Sequence, residues 1–98
     1  MPYYVRSTIV PWYREEDYAE VRKIMSDGAR FPPTFQGWLD QTNHKVAALR
    51  IQGHSIERAY VDPEAFAAWC ERKRCKLDGR ARYEFAAIVI ADKYKDRR

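Results

Sequence analysis

The chain has 98 residues, of which 46% are hydrophobic, 14% aromatic and 33% charged. This length corresponds to one domain that can bury a core without disulfides or metals, and the aromatic content excludes a disordered chain. The sequence has no apolar run of the roughly 18 residues that a membrane helix needs. Its first residues lack the apolar segment of a secretory signal, so we expect a cytoplasmic protein that does not engage a membrane.

The net charge of +4 is unevenly distributed along the chain. Residues 1–65 carry 8 Lys/Arg against 9 Asp/Glu, a net charge of −1. Residues 66–98 carry 10 against 5, a net charge of +5. This asymmetry favours an anionic partner for the second part of the chain, either a nucleic acid or an acidic protein surface.

The first two predicted elements are a strand and a helix. Residues 3–10 are β-branched and aromatic with an alternating pattern, which predicts a strand that ends at Pro11. Residues 14–28 predict a helix, because three acids near its start complement the positive end of the helix dipole. Gly28 is the expected C-terminal stop of this helix.

The next two elements are a long helix and a second strand. Thr34 is a favoured N-cap, apolar residues recur after it with a period of 3.6, and Gly53 would end the helix. In an alternative interpretation the helix breaks near Lys45 and residues 46–61 form a hairpin. The unbroken periodicity favours the helix, so we place the second strand at residues 55–61.

Two more helices complete the chain. Asp62, followed by proline and glutamate, is a strong helix start and predicts a helix over residues 63–73. Asp78 can cap a further helix over residues 79–94, with residues 92–98 as a basic tail. The predicted fold is a single α+β domain, mostly helical, with four helices packed around a small two-stranded sheet in the order β-α-α-β-α-α.

The two cysteines, Cys70 and Cys75, are too few for a disulfide framework. On a continuous helix they would differ by roughly 140° around the axis and about 7.5 Å along it, so they could share neither a metal ion nor a disulfide. A break near Lys73 would change that geometry, although two further metal ligands would still be missing. We therefore expect a buried, structural Cys70 and predict no metal and no cofactor.

A small enzyme that uses Asp40 and His44 is one alternative function. Asp40 and His44 are spaced i, i+4 and could form an acid–base pair, but both lie opposite the apolar face of their helix, where solvent is expected. His54 lies in a predicted turn without an identifiable partner. The glycines are isolated and no nucleophile motif is present, so we predict no catalytic residue.

A basic corner, residues 72–82, carries six bases and one acid, Asp78. Arg80 and Arg82 lie in the first helical turn, where the helix dipole normally attracts acids. Pairing of Arg82 with Asp78 and of Arg80 with Glu84 would be the simplest structural explanation. The functional hypothesis is contact with phosphates or with an acidic partner through Arg72, Arg74, Lys76, Arg80 and Arg82.

The last helix is apolar on more than one side. We expect Phe85, Ile88 and Val89 to face the core and Ile90 and Tyr94 to face another surface. Two strands alone also leave open edges. We therefore predict a homodimer with Ile90 and Tyr94 in its interface. The first functional hypothesis is a small non-enzymatic interaction or regulatory domain that acts as a homo-oligomer, with nucleic-acid binding as the alternative.

Overall fold

The computed structural model describes residues 6–95 and has the predicted order β-α-α-β-α-α. Two short 3-10 turns, Glu15–Asp17 and Gly28–Arg30, lie on either side of the first helix. The predicted strand residues 3–5 and tail residues 96–98 lie outside the described residues. The regular elements are β1 (Arg6–Trp12), α1 (Tyr18–Ile24), α2 (Phe35–Ile51), β2 (His54–Tyr60), α3 (Pro63–Lys73) and α4 (Gly79–Lys95).

The sheet consists of β1 and β2 in parallel, with Arg6 opposite His54 and Trp12 opposite Tyr60. Parallel neighbours need a crossover connection, and α1 and α2 provide it. Residues opposite each other in the register share one face of the sheet. The two faces are therefore available to different helices.

The sheet is the middle layer between α2 and α4. On one face the Trp12 ring meets Trp38 of α2 edge-on, with ring centroids 5.3 Å apart. On the other face Ala59 of β2 packs with Ala86 and Ile90 of α4 in a small second cluster of the core. This arrangement confirms the α+β class and the four helices around a two-stranded sheet.

The sequence predicts that the first strand ends at Pro11, but in the structure this strand continues to Trp12. Proline is tolerated in an edge strand, where its missing N–H would point away from the partner strand. Among the described residues β1 pairs only with β2, so it is such an edge strand. Pro11 therefore lies opposite Ala59 within the paired region.

The first helix is much shorter than the predicted span of residues 14–28. It runs from Tyr18 to Ile24 and ends because Met25 adopts an extended backbone conformation. Gly28 is thus not its C-terminal stop. A Cβ atom at Gly28 would lie 1.9 Å from the carbonyl oxygen of Arg22, so glycine is required there for the close approach of two chain segments.

The starts of α2 and α3 agree with the cap signals in the sequence. The Thr34 hydroxyl accepts a hydrogen bond from the Gly37 N–H at 3.0 Å, and the Asp62 carboxylate accepts one from Ala65 at 2.9 Å. Gly53 follows α2 with a φ of 92°, a conformation that glycine adopts without strain. Because α2 is continuous to Ile51, the alternative hairpin is excluded.

Aromatic side chains dominate the core. All three tryptophans are buried. One group of rings in mutual contact joins β1, α1 and α2, and a smaller group joins α3 and α4. The first group is Trp12, Tyr13, Tyr18, Phe31, Phe35 and Trp38; the second is Phe66, Trp69 and Phe85.

Candidate anion-binding sites

The end of α3 is a sharp turn that is built around Arg74. This residue has φ 57° and ψ 41°, the left-handed conformation. Its N–H donates to the carbonyl of Glu71 at 3.2 Å, and the N–H of Cys75 donates to the carbonyl of Cys70 at 3.1 Å. These two bonds define a Schellman motif, in which glycine usually occupies the left-handed position. A residue with a side chain is disfavoured there by roughly 1–2 kcal/mol.

This turn presents a compact group of exposed bases, which we name the basic turn. Within the described residues none of its four members forms an ion pair. The neighbouring Glu71 is also exposed, so the local charge is reduced but stays positive. The members of the basic turn are Arg72, Lys73, Arg74 and Lys76.

Arg80 and Arg82, the other two bases of the basic corner, already have carboxylate partners. The Arg80 side chain is 89% exposed and lies 3.4 Å from Glu84, the predicted i, i+4 pair. The Arg82 side chain is only 14% exposed and donates two hydrogen bonds, of 2.7 and 2.9 Å, to the Asp27 carboxylate. The bond from Arg82 holds the pKa of Asp27 below its usual value. The pairing of Arg82 with Asp78 that the sequence suggests is therefore wrong.

The N-terminus of α4 is also engaged within the chain. Asp78 accepts a hydrogen bond from the N–H of Ala81 at 3.0 Å and acts as the N-cap. The predicted cap is confirmed, and the Asp78 carboxylate occupies the position beside Gly79 where an external anion would otherwise bind. Of the five predicted anion contacts, the structure leaves three exposed and without an ion pair within residues 6–95: Arg72, Arg74 and Lys76.

A second candidate is a groove of about 480 Å³ between β1, α2 and the segment around residues 27–32. Its residues come from four separate parts of the chain, which is why spacing in the sequence gave no sign of it. Three cations against one acid leave the groove with a net positive charge. The cations are Arg30, Lys45 and Arg82, the acid is Asp27, and the aromatic lining residues are Tyr13, Phe31, Trp38 and Tyr83.

Tyr13 gives this groove a hydroxyl on an almost fully buried side chain. Only 4% of the residue is exposed, and among the described residues its hydroxyl has no hydrogen-bond partner. Burial raises the pKa of Tyr13 to about 12, so the hydroxyl stays protonated at neutral pH and can donate a hydrogen bond. Thr42, a buried polar residue of α2, borders the same groove.

The acid–base hypothesis finds no support in the geometry around Asp40 and His44. Both residues are exposed, and Asp40 accepts a hydrogen bond from Gln36 at 2.9 Å. No bond joins Asp40 to His44 in the part of the chain that the structure describes. His54 is bonded through Nδ1 to the hydroxyl of Thr8 at 2.6 Å. Residues 6–95 contain no group of three or more potential metal ligands.

The exposed face of α4 differs from the predicted one. Ile90 is only 7% exposed and packs beside Ala86, whereas Ile88 is 40% exposed. The assignment of these two isoleucines to opposite faces was therefore reversed. The Tyr94 hydroxyl donates a hydrogen bond to Glu57 of β2, while the residue remains 47% exposed. Ile88 and Tyr94 are thus the large apolar side chains that α4 exposes between residues 85 and 95.

Comparison with protein families, with curated proteins and with solved structures returned no match. Within residues 6–95 no helix combines the length and the apolar character that crossing a membrane requires. The functional proposal therefore depends on the two cationic surfaces described above.

Proposed function

We propose that this chain is a non-enzymatic binding domain for a polyanion, with nucleic acid as the class of partner and the basic turn as the contact surface. The observation that carries the proposal is the exposed arginine at position 74 in a left-handed conformation. Glycine would be more favourable there, so the side chain is retained at a cost in stability. Residues that contradict a local preference are expected at functional positions.

Phosphate recognition requires cations that are accessible and held in a fixed arrangement. Arg72, Lys73, Arg74 and Lys76 are exposed. The two backbone hydrogen bonds of the Schellman motif fix the turn that carries them. Contacts of this kind release counterions from the nucleic acid and do not read its sequence. The expected activity is therefore salt-dependent binding without strong sequence preference.

A fluorescent single-stranded oligonucleotide titrated at several salt concentrations tests this proposal. Replacing Arg72, Lys73, Arg74 and Lys76 by glutamine should weaken binding and lower the salt slope by up to about 3, because each phosphate contact on a single strand contributes about 0.7. The matched control replaces four exposed bases elsewhere by glutamine and has the same net charge. Equal losses in the two variants would show that overall charge, and not the basic turn, drives binding. The control positions are Lys23, Arg50, Lys93 and Lys95.

The unpartnered hydroxyl of Tyr13 favours a second candidate, a small aromatic anion bound in the groove. The ring of such a ligand would meet the aromatic lining, and its anionic group would meet Arg30 and Lys45. Titration with a nucleoside monophosphate, followed by tryptophan fluorescence, tests it because Trp38 lines the groove. Lys45→Gln should weaken the response, and an equal response to the uncharged nucleoside would contradict an anion site.

The homodimer also remains a proposal, with Ile88 in place of Ile90. Two observations support it: each strand has a single neighbour among the described residues, and α4 exposes Ile88 and Tyr94. Open strand edges are sites at which a second chain can pair. A dimer would present two basic turns to one polyanion, and this would raise the overall affinity through effective concentration.

A further inference from the structure

The Schellman motif at the end of α3 brings the two cysteines together. On a straight helix Cys70 and Cys75 would point in different directions, but the helix ends between them at Lys73. The hydrogen bond from the N–H of Cys75 to the carbonyl of Cys70 is 3.1 Å long. With standard bond lengths, it limits the distance between their Cα atoms to about 7 Å at most. The separations found in disulfides, about 4.4–6.8 Å, lie within this limit.

Cys70 and Cys75 occupy the two positions of a Schellman motif whose side chains commonly pack together across the turn. Burial raises the pKa of the Cys70 thiol to about 12, and this thiol donates a hydrogen bond to the carbonyl of Lys76, 4.0 Å away. α3 ends at Lys73, so the helix break that would change the geometry of this pair is present. The exclusion of a disulfide, which holds for a continuous helix, therefore does not apply.

The two sulfurs differ in their access to solvent. Cys75 is exposed, whereas Cys70 is 1% exposed and lies in the core. An exposed thiol can meet an oxidant from solution, and a neighbouring buried thiol can then displace the oxidised group. Cys75 is therefore the site of first oxidation, and Cys70 is the neighbouring sulfur that can complete a disulfide.

We propose that Cys70 and Cys75 are a peroxide-responsive thiol pair that closes a disulfide across the end of α3. The Cys75 thiolate attacks hydrogen peroxide, the O–O bond breaks, and a sulfenic acid and hydroxide form. The Cys70 sulfur then attacks the Cys75 sulfur, the S–O bond breaks, and the proton of Cys70 leaves with the hydroxyl group as water. In total, two thiols are oxidised by two electrons and one peroxide is reduced to two waters.

Closure of this bond would fix the backbone of Arg74 between the two cysteines. The disulfide would therefore regulate the conformation of the basic turn, a consequence that rests on the proposed nucleic-acid binding. Formation of the disulfide does not depend on that binding. Thiol chemistry and oligonucleotide affinity are measured separately, so the failure of one proposal is distinguishable from the failure of the other.

The test treats the reduced full-length protein with hydrogen peroxide, alkylates remaining thiols under denaturing conditions and measures the intact mass. We expect loss of both alkylation sites, a monomeric band on a non-reducing gel, a peptide cross-link between Cys70 and Cys75, and full reversal by dithiothreitol. The matched control, Cys75→Ser with Lys76→Cys, keeps two thiols but moves one out of the motif. Its intramolecular disulfide should form at least about tenfold more slowly, since the favourable geometry is lost.

Two outcomes would overturn the proposal. If both thiols of the wild-type chain remain available to alkylation after treatment, or if the product is a disulfide between two chains, the motif does not bring the sulfurs into reach. If the control closes its disulfide as fast as the wild type, flexibility of the turn and not the Schellman motif explains the reaction.

Discussion

The ion pair between Arg82 and Asp27 connects α4 to the segment after α1, and we predict that Arg82→Met destabilises the domain by about 2 kcal/mol. The two side chains are 14% and 32% exposed and form a bidentate pair. Breaking a fully buried pair costs about 3–5 kcal/mol, and an exposed pair contributes at most about 1 kcal/mol. This partly exposed pair lies between these limits. The guanidinium also covers the ring of Phe31, at 5.1 Å from its centroid.

Thermal unfolding followed by circular dichroism measures this effect. A loss of about 2 kcal/mol in a domain of this size corresponds to a fall in Tm of roughly 10 °C. The matched control is Arg80→Met, an arginine in the same helical turn whose side chain is 89% exposed. It should cost at most about 0.5 kcal/mol. Equal losses in the two variants would refute the reasoning, as would a coupling near zero in a double-mutant cycle with Asp27→Asn.

The same pair predicts a pH dependence. The hydrogen bond from Arg82 lowers the pKa of Asp27 in the folded state. The unfolded chain therefore binds a proton more readily than the folded one, and the contribution of Asp27 to stability is present above its ordinary pKa of 3.8. That contribution is lost as the pH falls through the folded value. Asp27→Asn should abolish this part of the acid dependence, and an unchanged profile would contradict it.

Three further predictions concern the core and the oligomeric state. Gly28→Ala should prevent stable folding because its Cβ would lie 1.9 Å from a backbone oxygen, whereas Gly53→Ala, with open space around it, should cost only about 1 kcal/mol of left-handed strain. Burial raises the pKa of Tyr13 from 10.0 to about 12 in the folded state. Its contribution to the free energy of unfolding should therefore be present below pH 10 and lost between pH 10 and about 12. In denaturation curves over this pH range, Tyr13→Phe should not show the loss of stability. Light scattering at micromolar concentration should show a dimer that Ile88→Asp dissociates, and a mass near 11.6 kDa for the wild type would contradict the dimer.

Local signals predicted most of the fold. Thr34, Asp62 and Asp78 each begin a helix at the expected position because an N-cap acts on backbone groups two or three residues away. The end of α1 was not predictable in the same way. The helix ends at the extended Met25, and Gly28 lies against the backbone of Arg22. A glycine in the sequence does not reveal whether it ends a helix or permits such a close contact.

The candidate sites were less predictable from the sequence than the fold, because they depend on tertiary contacts. Arg82 and Asp27 are 55 residues apart in sequence, so local spacing instead suggested Asp78 as the partner of Arg82. The faces of α4 were ambiguous because apolar residues surround much of the helix, and only packing against the sheet determines that Ile90 is buried and Ile88 exposed. The exposure of the basic turn was predictable from the sequence, because a charge-rich segment at the end of an amphipathic helix cannot be buried in the core.

The left-handed conformation of Arg74 allows a last prediction, in which stability and binding change in opposite directions. Glycine adopts φ 57° without the steric conflict of a side chain, and it is the usual residue at this position of a Schellman motif. Arg74→Gly should therefore stabilise the domain by about 1 kcal/mol, which corresponds to a rise in Tm of roughly 4–8 °C.

The same substitution removes one exposed cation from the basic turn. If Arg74 contacts a phosphate, Arg74→Gly should weaken oligonucleotide binding and lower the salt slope by about 0.7. The matched control is Arg72→Gln, which removes a neighbouring charge inside α3 without changing the left-handed residue and should lower the slope without raising Tm. A more stable Arg74→Gly variant with unchanged binding would mean that the arginine has no role in phosphate contact. An unchanged Tm would mean that the turn is not strained, and the stability cost that supports the proposed function would then be absent.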